Sequence, residues 1–208
     1  YVGFYKGIEN WRKLLNKHNA KATFFLSTNC VSARGSEYRK IIAQLKILIK
    51  EGHEIGLHLH PDSDLALQKE LGKKFNATSA KFYSRKEIEE FVGTGKALIK
   101  KHIGITVTSF RWGNWALNTD AVESLEKNGF KLDSSAAPGT KGHSNDEMSY
   151  DWSKTSTHYP WALSKSNYQN IKEQNSKILE IPIATFNFLG LTLRADPANS
   201  FLLNACFD

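Results

Sequence analysis

The sequence predicts an α/β domain, a parallel sheet wrapped by helices, and three observations carry that prediction. A helix-periodic apolar stripe, a glycine and a short β-rich run follow one another three times along the chain. The run Ala22-Thr23-Phe24-Phe25-Leu26-Ser27 is nearly continuous in apolar character, as a strand covered on both sheet faces requires. Polar residues capable of chemistry cluster just after the predicted strands. Alternation of this kind builds a sheet that is either open or closed into a barrel, and in both forms ligands gather at the carboxyl ends of the strands.

The elements follow in order. Gly7 to Asn19 reads as a helix that leads into the strand at Ala22–Ser27. Ser36 to Glu51 places Ile41, Ile42, Leu45, Leu48 and Ile49 on one side of a helix. Gly52 then supplies a left-handed cap, and His53 to His60 is the next strand. The helix from Ser84 opens with a capping box to Glu87 and a staple between Tyr83 and Ile88, ends at Gly104 and hands over to a strand at Ile105–Phe110. A fourth helix starts at Asn118, stapled by Leu117 and Val122, ends near Asn128-Gly129 and yields the strand Phe130–Asp133. From Pro138 to Lys177 the sequence is rich in Ser, Asn, Lys, His and aromatics without a sustained period. It reads as a long functional excursion over one face, which Tyr159-Pro160-Trp161 argues is ordered. Further strands are expected at Ile178–Ile183 and at Phe201–Phe207.

A chain of 208 residues with 40% hydrophobic content suits one domain, residues 1–208, with a sizeable core. The net charge of +7 comes from scattered residues without a basic strip, so it reads as a solubilising surface, with no nucleic-acid partner. No run of residues is apolar enough for a transmembrane segment. Cys30 and Cys206 lack pairing or zinc-knuckle spacing and read as free, buried thiols.

Three constellations carry chemistry. His58 and His60, two residues apart at the end of a predicted strand, project from one face, where two imidazoles could grip zinc or a similar divalent ion. Asp62 offers an oxygen ligand or a supporting partner; the bland alternative is one sheet-capping and one solvated histidine. Ser109-Phe110-Arg111-Trp112-Gly113-Asn114-Trp115 sets a permanent cation, an amide and flat aromatic faces at the next strand end. Trp112 and Trp115 could stack on sugar rings or could equally be core. Asp133-Ser134-Ser135 is a third polar cluster in the same layer, though a turn explains such a triplet as well. His18 and His102 read as helix C-terminal residues and His53 as the start of a strand remote from the site. His143 and His158 lie in the excursion, where they could fold over the pocket.

Together these segments resemble the polysaccharide deacetylase superfamily, carbohydrate esterase family 4. Lys21-Ala22-Thr23-Phe24-Phe25-Leu26 looks like that family's second strand. Glu51-Gly52-His53-Glu54-Ile55-Gly56-Leu57-His58 is similar to the segment leading into its metal histidines. Phe110 to Trp115 looks like the arginine motif of a branch tied to surface-polysaccharide loci, and Asp133 to Gly139 continues in that style. The likeness runs from about Gly7 to Phe186.

The resemblance implies a distorted (β/α) barrel of about seven strands that lacks its first strand here, with a metal, zinc first among candidates, held by one Asp and two His. It implies attack of water on an acetamide carbonyl, an oxyanion stabilised by the metal and a backbone amide, and a histidine acid for the departing amine. Arg111 would match the arginine that orients a catalytic aspartate, and Asp133 the acidic residue that supports the acid histidine. Asn114 and Trp161 join Trp112 and Trp115 as expected substrate contacts. Three departures stand out: the second ligand could be His60 or Asp62; the aspartate motif expected ahead of Tyr1 is not in the sequence; and the position of the acid histidine falls at Asp208. Very slow acetate release by these 208 residues is the corresponding expectation. The reading is therefore a metal-dependent N-deacetylase of a glycan. Another metal amidohydrolase on the same barrel and a catalytically degenerate glycan-binding domain are the alternatives.

Overall fold

The computed structural model describes residues 2–144, 148–157, 159–188 and 191–194, with side chains described for 7–142, 150–157 and 159–185. Four parallel strands are laid down by the chain in the order in which they pair. They are β1 (Thr23–Ser27), β2 (Glu54–Leu59), β3 (Ser109–Trp112) and β4 (Leu132–Asp133). Their connections carry α2 (Gly35–Lys50), then α3 (Leu65–Leu71) with α4 (Arg85–Ile103), then α5 (Thr119–Lys127); α1 (Val2–Lys17) precedes β1.

After β4 come a hairpin of β5 (Lys141–Ser144) with β6 (Met148–Asp151), then β7 (Trp161–Ala162) and β8 (Leu179–Glu180). An antiparallel pair, β9 (Thr185–Phe188) with β10 (Leu191–Arg194), closes the described chain. The main sheet runs β1-β2-β3-β4-β8-β7, parallel except for the final β7–β8 pair. This is the α/β architecture expected. Among the described residues the ladder runs open from β1 to β7.

The helix signals operate as the sequence predicts. Ser84 accepts from the Glu87 N–H while its own N–H donates to the Glu87 carboxylate at 3.1 Å, which satisfies donors the first turn of α4 would leave orphaned. Gly104, at φ 87°, closes α4 in the left-handed region that glycine enters without strain. Asn118 caps α5 through the Ala121 N–H at 2.9 Å. Along α2, Ile41, Ile42, Leu45 and Leu48 are buried, the stripe read from the sequence.

Strand alternation sorts the sheet into two faces. Ile55, Leu57 and Leu59 of β2 and Phe110 and Trp112 of β3 are all buried, and α4 presses so closely on that side that Gly95 faces the Leu57 and Leu59 methyls. The opposite face carries Thr23 and Phe25, Glu54 and His58, Ser109 and Arg111. Registers Thr23↔Glu54, Ser27↔His58 and His58↔Arg111 fix that arrangement.

The differences from expectation are local. The short helix α3, capped by Asp64, was not expected. The strand expected from Ile105 begins at Ser109, where its ladder with β4 starts at Ser109↔Leu132. In the described part of the excursion from Pro138, Trp152 is fully buried and its indole N–H donates to Trp115 O at 2.8 Å. Cys30 is a buried free thiol, with burial pushing it up to about 12. Cys206 and the strand expected at Phe201–Phe207 lie outside the described residues, as do His158 and the His143 side chain.

Candidate active site

β2 ends in His58-Leu59 and His60 follows directly, and the two-residue repeat sets both imidazoles on the face away from the helices, ring centroids 4.8 Å apart and edge to face. His58 Nδ1 lies 2.9 Å from Arg111 O on β3. A carbonyl oxygen can only accept, so the His58 ring proton sits on Nδ1 and Nε2 keeps its lone pair. Burial, reinforced by His60, pushes His58 down to about 4. Burial also lowers His60, against the opposing pull of Asp62 and Asp64. Both rings are therefore neutral near pH 7, the state in which imidazole binds a metal.

The loop after β3 is shaped around His60. A Cβ at Gly113 would stand 2.5 Å from Leu59 O and 2.7 Å from the His60 ring, so only glycine fits. The chain then passes through Asn114 and Trp115 with φ of 52° and 56°, two successive non-glycine residues in the left-handed region. Such strain persists where surrounding contacts over-determine it, often at functional sites. Here the Trp152 indole holds Trp115 O, and the Trp115 ring meets Tyr150 edge to face at 5.7 Å.

Asp62 does not join the two rings: its Oδ1 accepts from Thr78 Oγ1 at 2.6 Å. Among the described residues no three His, Cys, Asp or Glu side chains converge in a way that could hold an ion. Two imidazole donors in the right protonation state thus fit a divalent metal in part. Asp64, passed over in the sequence, is buried. It accepts from Thr28 N and Oγ1, from Ser27 Oγ and from Leu67 N, tying the end of β1 to the start of α3. Its sequence signal is that of an N-cap, an Asp three residues ahead of a buried Leu.

Arg111 lies half-buried on the same face as His58. Its Nε donates to Ser134 O at 2.8 Å, its Nη2 donates to Ser134 Oγ at 2.7 Å, and the guanidinium rests 4.5 Å from the centre of the Phe25 ring. Among the described residues no carboxylate comes within ion-pair distance of it. Beside it opens a cavity of about 260 Å³, bounded by Phe25, Glu54, Ser109, Ser134 and Ile181.

Three expected site residues sit elsewhere. Trp112 follows Arg111 by one residue and so points to the helix face, fully buried, its indole N–H donating to Thr78 O at 2.7 Å. Trp161 is 4% exposed and packs in the core. Neither presents a ring face to solvent, whereas Trp115 and Asn114 remain partly accessible. Asp133 pairs in register with Phe110 and not with Arg111, so it too belongs to the helix face, fully buried. Glu180, which the sequence reads only as part of the strand Ile178–Ile183, shares its burial.

Comparison with known proteins gives this geometry a context. No curated protein sequence matches the chain. Among solved structures, a Mycobacterium smegmatis protein assigned to the polysaccharide deacetylases superposes with a TM-score of 0.56 at 15% identity, covering 86% of this chain and 46% of its own. The deacetylase domain of BpsB from Bordetella bronchiseptica gives 0.50 at 20% identity, covering 66% of this chain and 61% of its own. At these identities the likeness is one of fold, and the chain spans under two thirds of either structure's length. Residues 6–132, well over half of the sequence, match the family described as Polysaccharide deacetylase. The chain therefore belongs to the polysaccharide deacetylase family.

Proposed function

We propose that this protein is a metal-dependent hydrolase that removes N-acetyl groups from a polysaccharide or oligosaccharide. The observation that carries the reading is the neutral imidazole pair His58 and His60, with the His58 Nδ1 proton committed to Arg111 O, in a chain of this family. A ring nitrogen locked by a carbonyl on its far side is the arrangement that orients metal-binding histidines. Bound there, a divalent ion, zinc in the first instance, supplies Lewis acidity to the acetamide carbonyl.

The reaction breaks the amide C–N bond. Water oxygen bonds to the carbonyl carbon, acetate leaves, and the sugar amine takes up a proton. His58 and His60 are the proposed ligands, with Asp62 as an oxygen donor that would have to turn from Thr78. Arg111 offers fixed positive charge on the same face, for a carboxylate or for developing negative charge. Trp115 provides a flat apolar surface for a pyranose ring, and Asn114 an amide for its hydroxyls. Trp112 and Trp161 pack in the core, and Asp133 acts from the core side.

Acetate release from N-acetylated oligosaccharides by the intact protein, with zinc or cobalt added and then chelated, tests this. Release that depends on metal and disappears in His58→Ala is the expected result. Saturable binding of the oligosaccharide with no acetate under any metal condition would replace the reading with a glycan-binding domain. Turnover of a small cyclic amide with no turnover of glycans would point to a different amidohydrolase.

A further inference from the structure

Asp133 and Glu180 face one another from neighbouring parallel strands. They are register partners on β4 and β8, they share the helix face, and both are fully buried. Their oxygens are not equally supplied with donors. Asp133 Oδ1 accepts from Ser135 Oγ at 2.8 Å and Oδ2 from Ser135 N at 3.2 Å, so each carboxylate oxygen has its own donor. Glu180 Oε1 accepts from Ala136 N at 2.8 Å, while no donor reaches Oε2.

Among the described residues no cation pairs with either group, and two buried carboxylates side by side would repel each other, both being acceptors only. A proton held between them removes the repulsion and supplies the missing donor. The oxygen without a donor is where it belongs, so Glu180 is the neutral acid and Asp133 the anion that receives its O–H.

The pair is coupled to the candidate active site through the Asp133–Ala136 turn. Ser135 Oγ, which donates to Asp133, accepts the Trp112 N–H at 2.8 Å, and Ala136 N is held by Glu180. Ser134, between Asp133 and the anchored Ser135, holds the Arg111 guanidinium through its carbonyl and hydroxyl. We propose that Glu180 is a positioning residue: as a neutral carboxylic acid hydrogen-bonded to Asp133, it fixes the turn that sets Arg111 on the inner face of the sheet. The part played by Arg111 in catalysis rests on the function proposed above; the proton-sharing pair does not.

The charged groups acting on Glu180 are Asp133 on β4 and the Arg111 cation on β3, while its partner on β7, Trp161, is an uncharged indole. Burial and the Asp133 charge raise Glu180 well above its usual value of 4.5. A raised folded-state value contributes stability that is complete below the unfolded value and is lost as pH rises toward the folded one. Glu180→Gln removes that dependence, because its amide N–H₂ replaces the O–H toward Asp133 and its amide oxygen still accepts from Ala136.

Three readouts test the proposal without any activity assay. The infrared spectrum at pH 7 should contain the C=O stretch of a neutral carboxylic acid that vanishes in Glu180→Gln. The melting temperature of Glu180→Gln should exceed that of the parent protein by an amount that grows from pH 5 to pH 9. The NMR resonance of the Arg111 Nε–H, assigned by its loss in Arg111→Lys, should persist in Glu180→Gln and be lost in Glu180→Leu. Absence of the acid band in the parent protein, a melting gap independent of pH, or a Glu180→Gln protein that cannot fold would each overturn the proposal. Should Glu180→Leu itself fail to fold, the first two readouts still decide.

Discussion

The two faces of the sheet at β2 and β3 differ by a single step along the chain and by everything in their chemistry. On the helix side Leu57, Leu59, Phe110 and Trp112 are at most fractionally accessible and pack into one core with α4. On the inner side His58, His60 and Arg111 remain partly accessible, His58 is held by the Arg111 carbonyl, and a cavity opens beside the Arg111 side chain. Strand geometry alone makes this division, because successive side chains point to opposite faces. A domain of this kind can place stability in the odd residues and chemistry in the even ones of one strand, provided the register never slips.

That division can be broken from the core side first. Leu57→Ala removes a fully buried side chain beneath α4 and should cost about 2 to 5 kcal/mol in urea unfolding. A loss under about 1 kcal/mol would mean that the core does not depend on this face. Gly113→Ala attacks the junction of the two faces, since its methyl would meet both Leu59 O and the His60 ring. It should lower both the melting temperature and zinc affinity, and a protein unaffected in both would show that the loop adjusts freely.

Smaller changes sharpen the comparison. Trp112→Phe strands Thr78 O without its indole donor, at about 1 to 3 kcal/mol, and should leave zinc affinity intact because the residue points away from the histidines. Selective loss of zinc binding in that variant would mean that the faces are not independent. Glu87→Gln tests a site remote from both faces. The hydrogen bond to Lys73, with help from Ser84, holds Glu87 down to about 2. A depressed folded-state value contributes stability present above the unfolded 4.5 and lost as pH falls through about 2. The small melting deficit of the variant at pH 7 should therefore close in acid; a deficit unchanged by pH would assign it to packing.

The parts of the molecule legible in sequence are those with a repeated local signal. Helices α2, α4 and α5 announce themselves by stripe, cap and glycine, and the His58–His60 pair by its spacing. Asp133 reads in the sequence only as part of a polar cluster after a strand, and β4, with two residues, is too short to display the alternation that would tell which way it faces. Trp112 and Arg111 are neighbours in one motif, and composition does not say which of them turns inward; the register with β2 does. Glu180 reads in Leu179-Glu180-Ile181-Pro182-Ile183 as one polar residue in an apolar strand. Its partner is far away in sequence and adjacent only once β8 pairs with β4. The short α3, with a single buried leucine, carries too little periodicity to register.

The central claim is that the inner face around His58 and His60 is a metal site. Zinc titration into metal-stripped protein, followed calorimetrically, tests it most directly, with His58→Ala, His60→Ala and the remote control His102→Ala measured alongside. The account predicts specific zinc binding that weakens by at least about tenfold in each of the first two variants and not in the third. Equal affinity and stoichiometry in all four proteins would contradict it.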